Sequence, residues 1–356
     1  MRIYSIDLLK FIFAYLVVFA HMDINYPGAS VAVDFFFVFS GFFLAKKFYS
    51  KSLDNPKEYN QFHYTADHVK KLYPQYVFSL LVMLCYLCGR DLVRIVTGSE
   101  LAGSELAGSI GATVFRVFEA IPDMFMIQDM GYFIGGGINT AAWYVSALVI
   151  VGYFTYAMMC YDHKKTSEFI LPILFILTCA YMKFGRYNFD VYDWFYIPLV
   201  RGLQYMAEGV IIYRIFTSKA FAAVRNGSIF FNLAGIMSIA SLFAMERYKN
   251  MHIILFAFIV LYTSCPESWI NKIIKGKIFR RFGDASYAVY LNHAVVIMAL
   301  EDIFGTVGIT MEHTQFAWLA AGVSLVYSVI TMLLLDKLTP WFTQKFIPAL
   351  RSKKIV

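Results

Sequence analysis

Two imidazoles interrupt apolar runs of this chain. His21 ends the stretch "MRIYSIDLLKFIFAYLVVFAH", and His293 lies within "FRRFGDASYAVYLNHAVVIMAL". An imidazole, with an unperturbed pKa of about 6.5, is the side chain best suited to take a proton from a weakly nucleophilic hydroxyl at neutral pH. At about 100° per residue, Asp7, Lys10, Ala14, Val17 and His21 fall within about 80° of one another, so three ionisable groups share one stripe of the first helix. Such groups cost several kcal/mol in an apolar helix unless paired or hydrated, so the stripe faces protein or water and its members are functional candidates. Asp7 and Lys10, at i and i+3, can neutralise each other as an anchoring pair. His21 stands about 21 Å further along the axis, either as an anchor at the far interface or as a general base. Ser286, Tyr290 and His293 line one face of their own helix within about 60°.

Other polar residues fall in apolar surroundings. In "VAVDFFFVFSGFFLAKKF", Asp34 and Gly41 share a face, and Ser40–Gly41 permits close helix approach. The basic cluster "HVKKLYPQY" meets an apolar run just before Pro74 and serves at least as an anchor. In "VRGLQYMAEGVIIY", Arg201 and Glu208 lie on one face with Tyr205, as a buried ion pair fixing register or as cavity lining. Cys85 and Cys88 form a CxxC with no second pair or nearby His cluster, so packing explains them better than a metal does.

The elements that must position these residues are membrane helices. The 356 residues are 59% hydrophobic, 18% aromatic and 15% charged, a composition outside that of soluble domains. Apolar segments at 5–22, 31–48, 72–90, 140–161, 168–184, 195–216, 229–245, 250–265, 285–303 and 316–337 predict an all-α bundle of about ten transmembrane helices. With both termini cytoplasmic, 22 of the 31 Lys and Arg residues fall in inner segments and 7 in outer ones. The net charge of +7 therefore needs no nucleic-acid partner. We expect one integral membrane domain over 1–356 with a basic tail from about 338, and the first helix is too polar for a removable signal peptide. The tandem "GSELAGSELAGS" at 98–109 reads as slippage in an exposed loop, and "ATVFRVFEAIPDMFMI" as an interfacial or re-entrant segment.

Five of these stretches, in this order, resemble the membrane acyltransferase 3 family over nearly the whole chain. They are the first helix with Asp7, Lys10 and His21; the V-D-x-F-F-x-x-S-G-F segment from Val33 to Phe42; a basic motif before Pro74; "AAWYVSAL" with Trp143 and Ser146; and a late S-Y-x-x-Y-L-x-H with Ser286, Tyr287, Tyr290, Leu291 and His293. His68 and Lys71 stand where the family carries two arginines, with Lys70 adjacent, so phosphate contacts would be point charges rather than bidentate grips.

The resemblance implies transfer of an acyl group, acetyl in most cases, from a cytoplasmic acyl-CoA to a hydroxyl of a cell-surface carbohydrate or glycolipid, in a bacterial cytoplasmic membrane. Acyl-CoA would be a co-substrate, with no permanently bound cofactor and no metal. His21 would be the general base, with Asp7, Lys10 and His293 in the catalytic set. Trp143, Tyr290 and His293 could serve the oxyanion, while His68, Lys70 and Lys71 would meet the donor phosphates. Asp34, Ser146, Arg201 and Glu208 would bind substrate or hold structure. A carrier or flippase of glycolipids also uses intramembrane charges, but matched breaks in the two halves are not evident. A small-molecule sensor built on an acyltransferase-like fold is a third class. Bilayer lipid and the acceptor are the expected partners, and the sequence is silent on oligomeric state.

Overall fold

The computed structural model describes residues 2–51, 59–97, 110–128, 137–184, 191–192, 195–225, 228–244 and 251–351. The tandem repeat at 98–109 lies outside them. Thirteen helices are described: α1 Tyr4–Ala20, α2 Ala32–Tyr49, α3 Gln61–Thr97, α4 Ile110–Met124, α5 Trp143–Lys165, α6 Leu171–Phe184, α7 Ile197–Phe216, α8 Lys219–Arg225, α9 Ile229–Ala244, α10 Met251–Ser264, α11 Trp269–Ile273, α12 Lys277–Val307 and α13 His313–Arg351. The only strands among the described residues form a two-residue antiparallel pair, Val191–Tyr192 with Phe195–Tyr196.

Each of the ten predicted apolar segments is helical over most of its described residues. Among the described residues, five stretches are long and apolar enough to cross a membrane, or six if α8 and α9, bent by 92°, count as one. One of the five, Thr140–Met182, joins α5 and α6 through a π-turn at Thr166–Ile170. Asp162 leaves helical geometry there, and Thr166 Oγ1 donates to Met158 O at 2.8 Å. Eight residues of straight helix would separate those atoms by about 12 Å, so the chain turns back sharply between α5 and α6. Helix α13 continues through 338 to Arg351 without a break.

Small residues set the two closest crossings. A Cβ on Gly41 would lie 2.1 Å from Met206 O, and one on Gly209 would lie 2.1 Å from Val38 O, so α2 and α7 touch backbone to backbone. On the other side α1 lies along α12, where a Cβ on Gly283 would lie 2.4 Å from Asp7 Oδ1. Phe13, Phe35, Phe37, Phe39 and Phe42 fill the space between as fully buried rings.

Helix α4 keeps an apolar face uncovered. Val114, Phe115, Phe118 and Ile121 point outward while Ala120 and Asp123 are buried. Arg116 ties it to α3 through Asp91 at 2.7 Å.

Candidate active site

His21 is the residue just beyond α1. Its exposed ring follows from a tight reversal in which the Met22 and Ile24 N–H groups donate to Phe19 O. Its Nδ1 sits 2.9 Å from Val17 O. His293, in the middle of α12, is 0% exposed, and its Nδ1 lies 2.7 Å from Tyr290 O and 3.3 Å from Val289 O. A nitrogen facing carbonyl oxygens must carry the proton, so both rings are Nδ1–H tautomers with Nε2 left as the lone-pair atom. The two rings meet edge to face with centroids 4.7 Å apart. His293 Nε2 has no hydrogen-bond partner among the described residues. The pair thus offers two imidazole lone pairs and room for one added proton.

An aromatic wall leads away from it. Tyr290 lies 6.1 Å from His293 and 5.7 Å from Tyr144, and Tyr144 lies 6.5 Å from Trp143, all between ring centroids. Arg201 sits over the Trp143 ring at 5.6 Å. Ser146 is fully buried on α5, one turn from Trp143.

The expected Arg201–Glu208 pair does not form. Arg201 Nε donates instead to Asp34 Oδ1 of α2, and Arg201 Nη2 donates to Ser30 O. Seven residues place Arg201 and Glu208 about two turns apart, too far for a short contact, whereas α2 brings a carboxylate across the crossing. Both Glu208 oxygens are buried without a hydrogen-bond partner among the described residues. Nearby, Tyr205 Oη and His252 Nε2 lie 2.6 Å apart.

Asp7 and Lys10 occupy the end of α1 away from His21, and they do not pair with each other. Arg2 Nε donates to Asp7 Oδ2 at 2.6 Å and Arg2 Nη2 to Asp284 Oδ1 at 2.7 Å, which staples the start of α1 to α12. A guanidinium fork serves two carboxylates where an ammonium cannot. Burial disfavours the Arg2 charge, but hydrogen bonds and the fields of Asp7 and Asp284 more than offset it and raise its pKa. Lys10 turns between Phe39 and Phe43, 6.0 and 5.7 Å from their centroids.

Beside this staple, α3, α12 and α13 line an open-sided cavity of about 1210 Å³. Lys70, Lys71, Lys277, Arg280 and Arg281 contribute five cations to its lining, against Asp284 and Asp336. Pro74 interrupts α3 beside them and frees the Lys70 carbonyl from its helical partner. His68 is not in this cluster. It stacks on Tyr64 at 5.9 Å and faces Ser40 and Leu148, because its position on α3 points toward α2 and α5 while Lys70 and Lys71 point toward α12. The structure sets the two lysines together at the cavity and places the histidine apart from them.

Lys277, Arg280 and Arg281 had been explained by the inner-side excess of basic residues alone. Their position in "KIFRRFGDASYAVYLNH", one continuous helix with His293, was the available signal that they share an element with the imidazole. Gln75, Asn292 and His252 carried no signal beyond lying in apolar runs.

Residues 3–337 match the family model described as an acyltransferase domain, Acyl_transf_3. No curated protein and no solved structure matches the chain. The family match and the long apolar helices together give a multi-pass membrane protein of the acyltransferase class. The chain belongs to the acyltransferase 3 family.

Proposed function

We propose that the protein transfers an acyl group, acetyl in the first instance, from an acyl-CoA to a hydroxyl of a cell-surface carbohydrate or glycolipid. The carrying observation is the edge-to-face contact of His21 and His293, two imidazoles brought together from distant parts of the sequence, with His293 Nε2 unpartnered among the described residues. His21 is the base because it is the exposed member of the pair. Its Nε2 takes the acceptor hydroxyl proton as the hydroxyl oxygen attacks the thioester carbonyl. Collapse of the tetrahedral intermediate breaks the C–S bond, and the leaving thiolate receives the proton from the His21 imidazolium. While that proton is held, His293 Nε2 is a lone-pair neighbour rather than a competing N–H. Tyr290 and Trp143 are the nearby donors for the oxyanion.

The cationic cavity takes the donor phosphates. From Arg281 to His293 is about 18 Å of helix. A phosphate head at one end and a reacting carbonyl at the other suit a donor with a long arm. Lys70 and Lys71 act with Lys277, Arg280 and Arg281, and His68, which faces α2 and α5, takes no part. Asp34, Arg201 and Glu208 hold the outer half of the bundle or border the acceptor. In this arrangement ten helices cross a bacterial cytoplasmic membrane, both termini are cytoplasmic, and 1–356 is one domain. The split of 22 inner against 7 outer basic residues supports that orientation.

The test is direct. Protein purified into lipid nanodiscs is given radiolabelled acetyl-CoA and membrane glycan extract, and label is followed into the glycan. Transfer that requires both components is expected. Retention of label on the donor, with glycolipid movement across the bilayer instead, would replace the enzyme by a carrier.

A further inference from the structure

Five cations account for the rim of the α3–α12–α13 cavity but not for its depth. Its lining runs inward along α12 from Lys277 to Ala288, about 16 Å of helix. The deeper walls are apolar, formed by Ala288, Leu325, Val329 and Met332, with one carboxamide among them. Gln75 lies one turn beyond Lys71 and is 9% exposed. Its Nε2 is 3.5 Å from Thr331 Oγ1, at the outer limit of a hydrogen bond, so the amide is placed without being consumed.

Thr331 Oγ1 also receives Asn292 Nδ2 at 3.1 Å. Asn292 is fully buried next to His293, and its Oδ1 has no hydrogen-bond partner among the described residues. Because both carboxamides donate to one hydroxyl, their nitrogens lie within about 7 Å of each other. A short polar strip therefore leads from the cavity wall toward the imidazole pair, with Ser328 Oγ beside it 3.4 Å from Asn292 Nδ2.

We infer that Gln75 and Asn292 form a carboxamide subsite that reads the two secondary amides of a pantetheine arm. The inference rests on the acyl-CoA reading above and names the residues that would recognise the donor between its phosphates and its sulfur. The arm has twelve bonds from phosphate oxygen to sulfur, which at the reach of an extended chain is about 14 Å. Long Lys and Arg side chains at one end and the reacting carbonyl at the other cover the rest of the interval to His293. Successive amides along the arm are four bonds apart, about 5 Å, a spacing that the Gln75–Thr331–Asn292 strip can match. Each amide that leaves water for an apolar cavity needs a new partner, and a carboxamide supplies both a donor and an acceptor.

The experiment compares acyl donors that share the thioester and differ in amides: acetyl-pantetheine with two, S-acetyl-N-acetylcysteamine with one and S-ethyl thioacetate with none. Wild-type kcat/KM is expected to fall about tenfold for each amide removed. Gln75→Met and Asn292→Leu should each lose about tenfold on acetyl-pantetheine and nothing on S-ethyl thioacetate. Equal losses on every donor would show that the strip only holds the helices together and would overturn the inference. A wild-type protein with no preference among the three would overturn it without any variant. Failure of the wild type to transfer from any thioester, acetyl-CoA included, would instead remove the acyl-CoA reading.

Discussion

Replacing His21 by Ala removes the proposed base from a position where the structure supplies a partial substitute. Loss of a positioned acid–base group costs about 10²–10⁴-fold in turnover. His293 remains, with Nδ1 fixed by Tyr290 O and with a bare Nε2, its ring 4.7 Å from the vacated imidazole. Because His21 is exposed, water can fill the space and relay the acceptor proton to His293. We therefore expect the low end of the range for His21→Ala, about 10²-fold, equivalent to about 2.7 kcal/mol in the barrier. His293→Ala removes the neighbouring lone pair but leaves the base, and about tenfold is expected. Because His293 carries the residual activity of His21→Ala, the double variant should fall more than about 10²-fold below His293→Ala alone. The readout is free CoA thiol released in nanodiscs in the presence of acceptor, with folding checked by gel filtration and thermal melting. Wild-type turnover in His21→Ala would refute the assignment, and losses that multiply independently would refute the coupling of the two rings.

Charge at the cavity rim should act on donor binding and not on chemistry. Lys70→Ala/Lys71→Ala and Arg280→Ala/Arg281→Ala are each expected to raise the donor KM about tenfold at low salt with kcat little changed, and the defect should shrink as salt screens the wild type. Steady-state kinetics at two salt concentrations would show it. Arg201→Met should destabilise the protein by about 3–5 kcal/mol, since it leaves the Asp34 carboxylate buried and unpaired. Adding Asp34→Asn should recover much of that loss in the thermal melt. Gly209→Ala should lower the melting temperature because its Cβ meets the α2 backbone and not a movable side chain, at a cost of about 1–3 kcal/mol.

The helical class and the rough places of the long apolar helices were legible because composition and run length report on burial in a bilayer, whereas the short α8 and α11 were not. Residues within one helix were legible as faces: the stripe ending at His21 and the face holding Tyr290 and His293 follow from periodicity. What periodicity leaves open is the neighbour opposite each face. Asp7 had Lys10 three residues away and Arg201 had Glu208 two turns on, so local pairing was the economical expectation. In the fold Arg2 takes Asp7 and Asp34 takes Arg201. Both outcomes have the same cause. A guanidinium reaches past its own helix and binds carboxylates with a planar fork, and glycines at 283, 41 and 209 let the partner helix come close enough to present or accept that charge.

The cavity shows a different kind of illegibility. Lys277, Arg280 and Arg281 satisfied a topological rule on the inner side, and a residue already explained attracts no second explanation. Only packing of α12 between α3 and α13 turns those anchoring cations, together with Lys70 and Lys71, into the lining of one cavity. Gln75 and Asn292 were harder still, since neither carries charge and an isolated carboxamide in an apolar run is consistent with ordinary interhelical hydrogen bonding. Their meaning depends on a distance between helices, the shared contact to Thr331, and on which of their atoms are left without a partner. A membrane interior magnifies both facts: a polar atom there has no bulk water to satisfy it, so its partner must come from another helix, a trapped water or a ligand. Donor truncation separates the last of these from the first two, because only a ligand-borne amide can be removed without altering the protein.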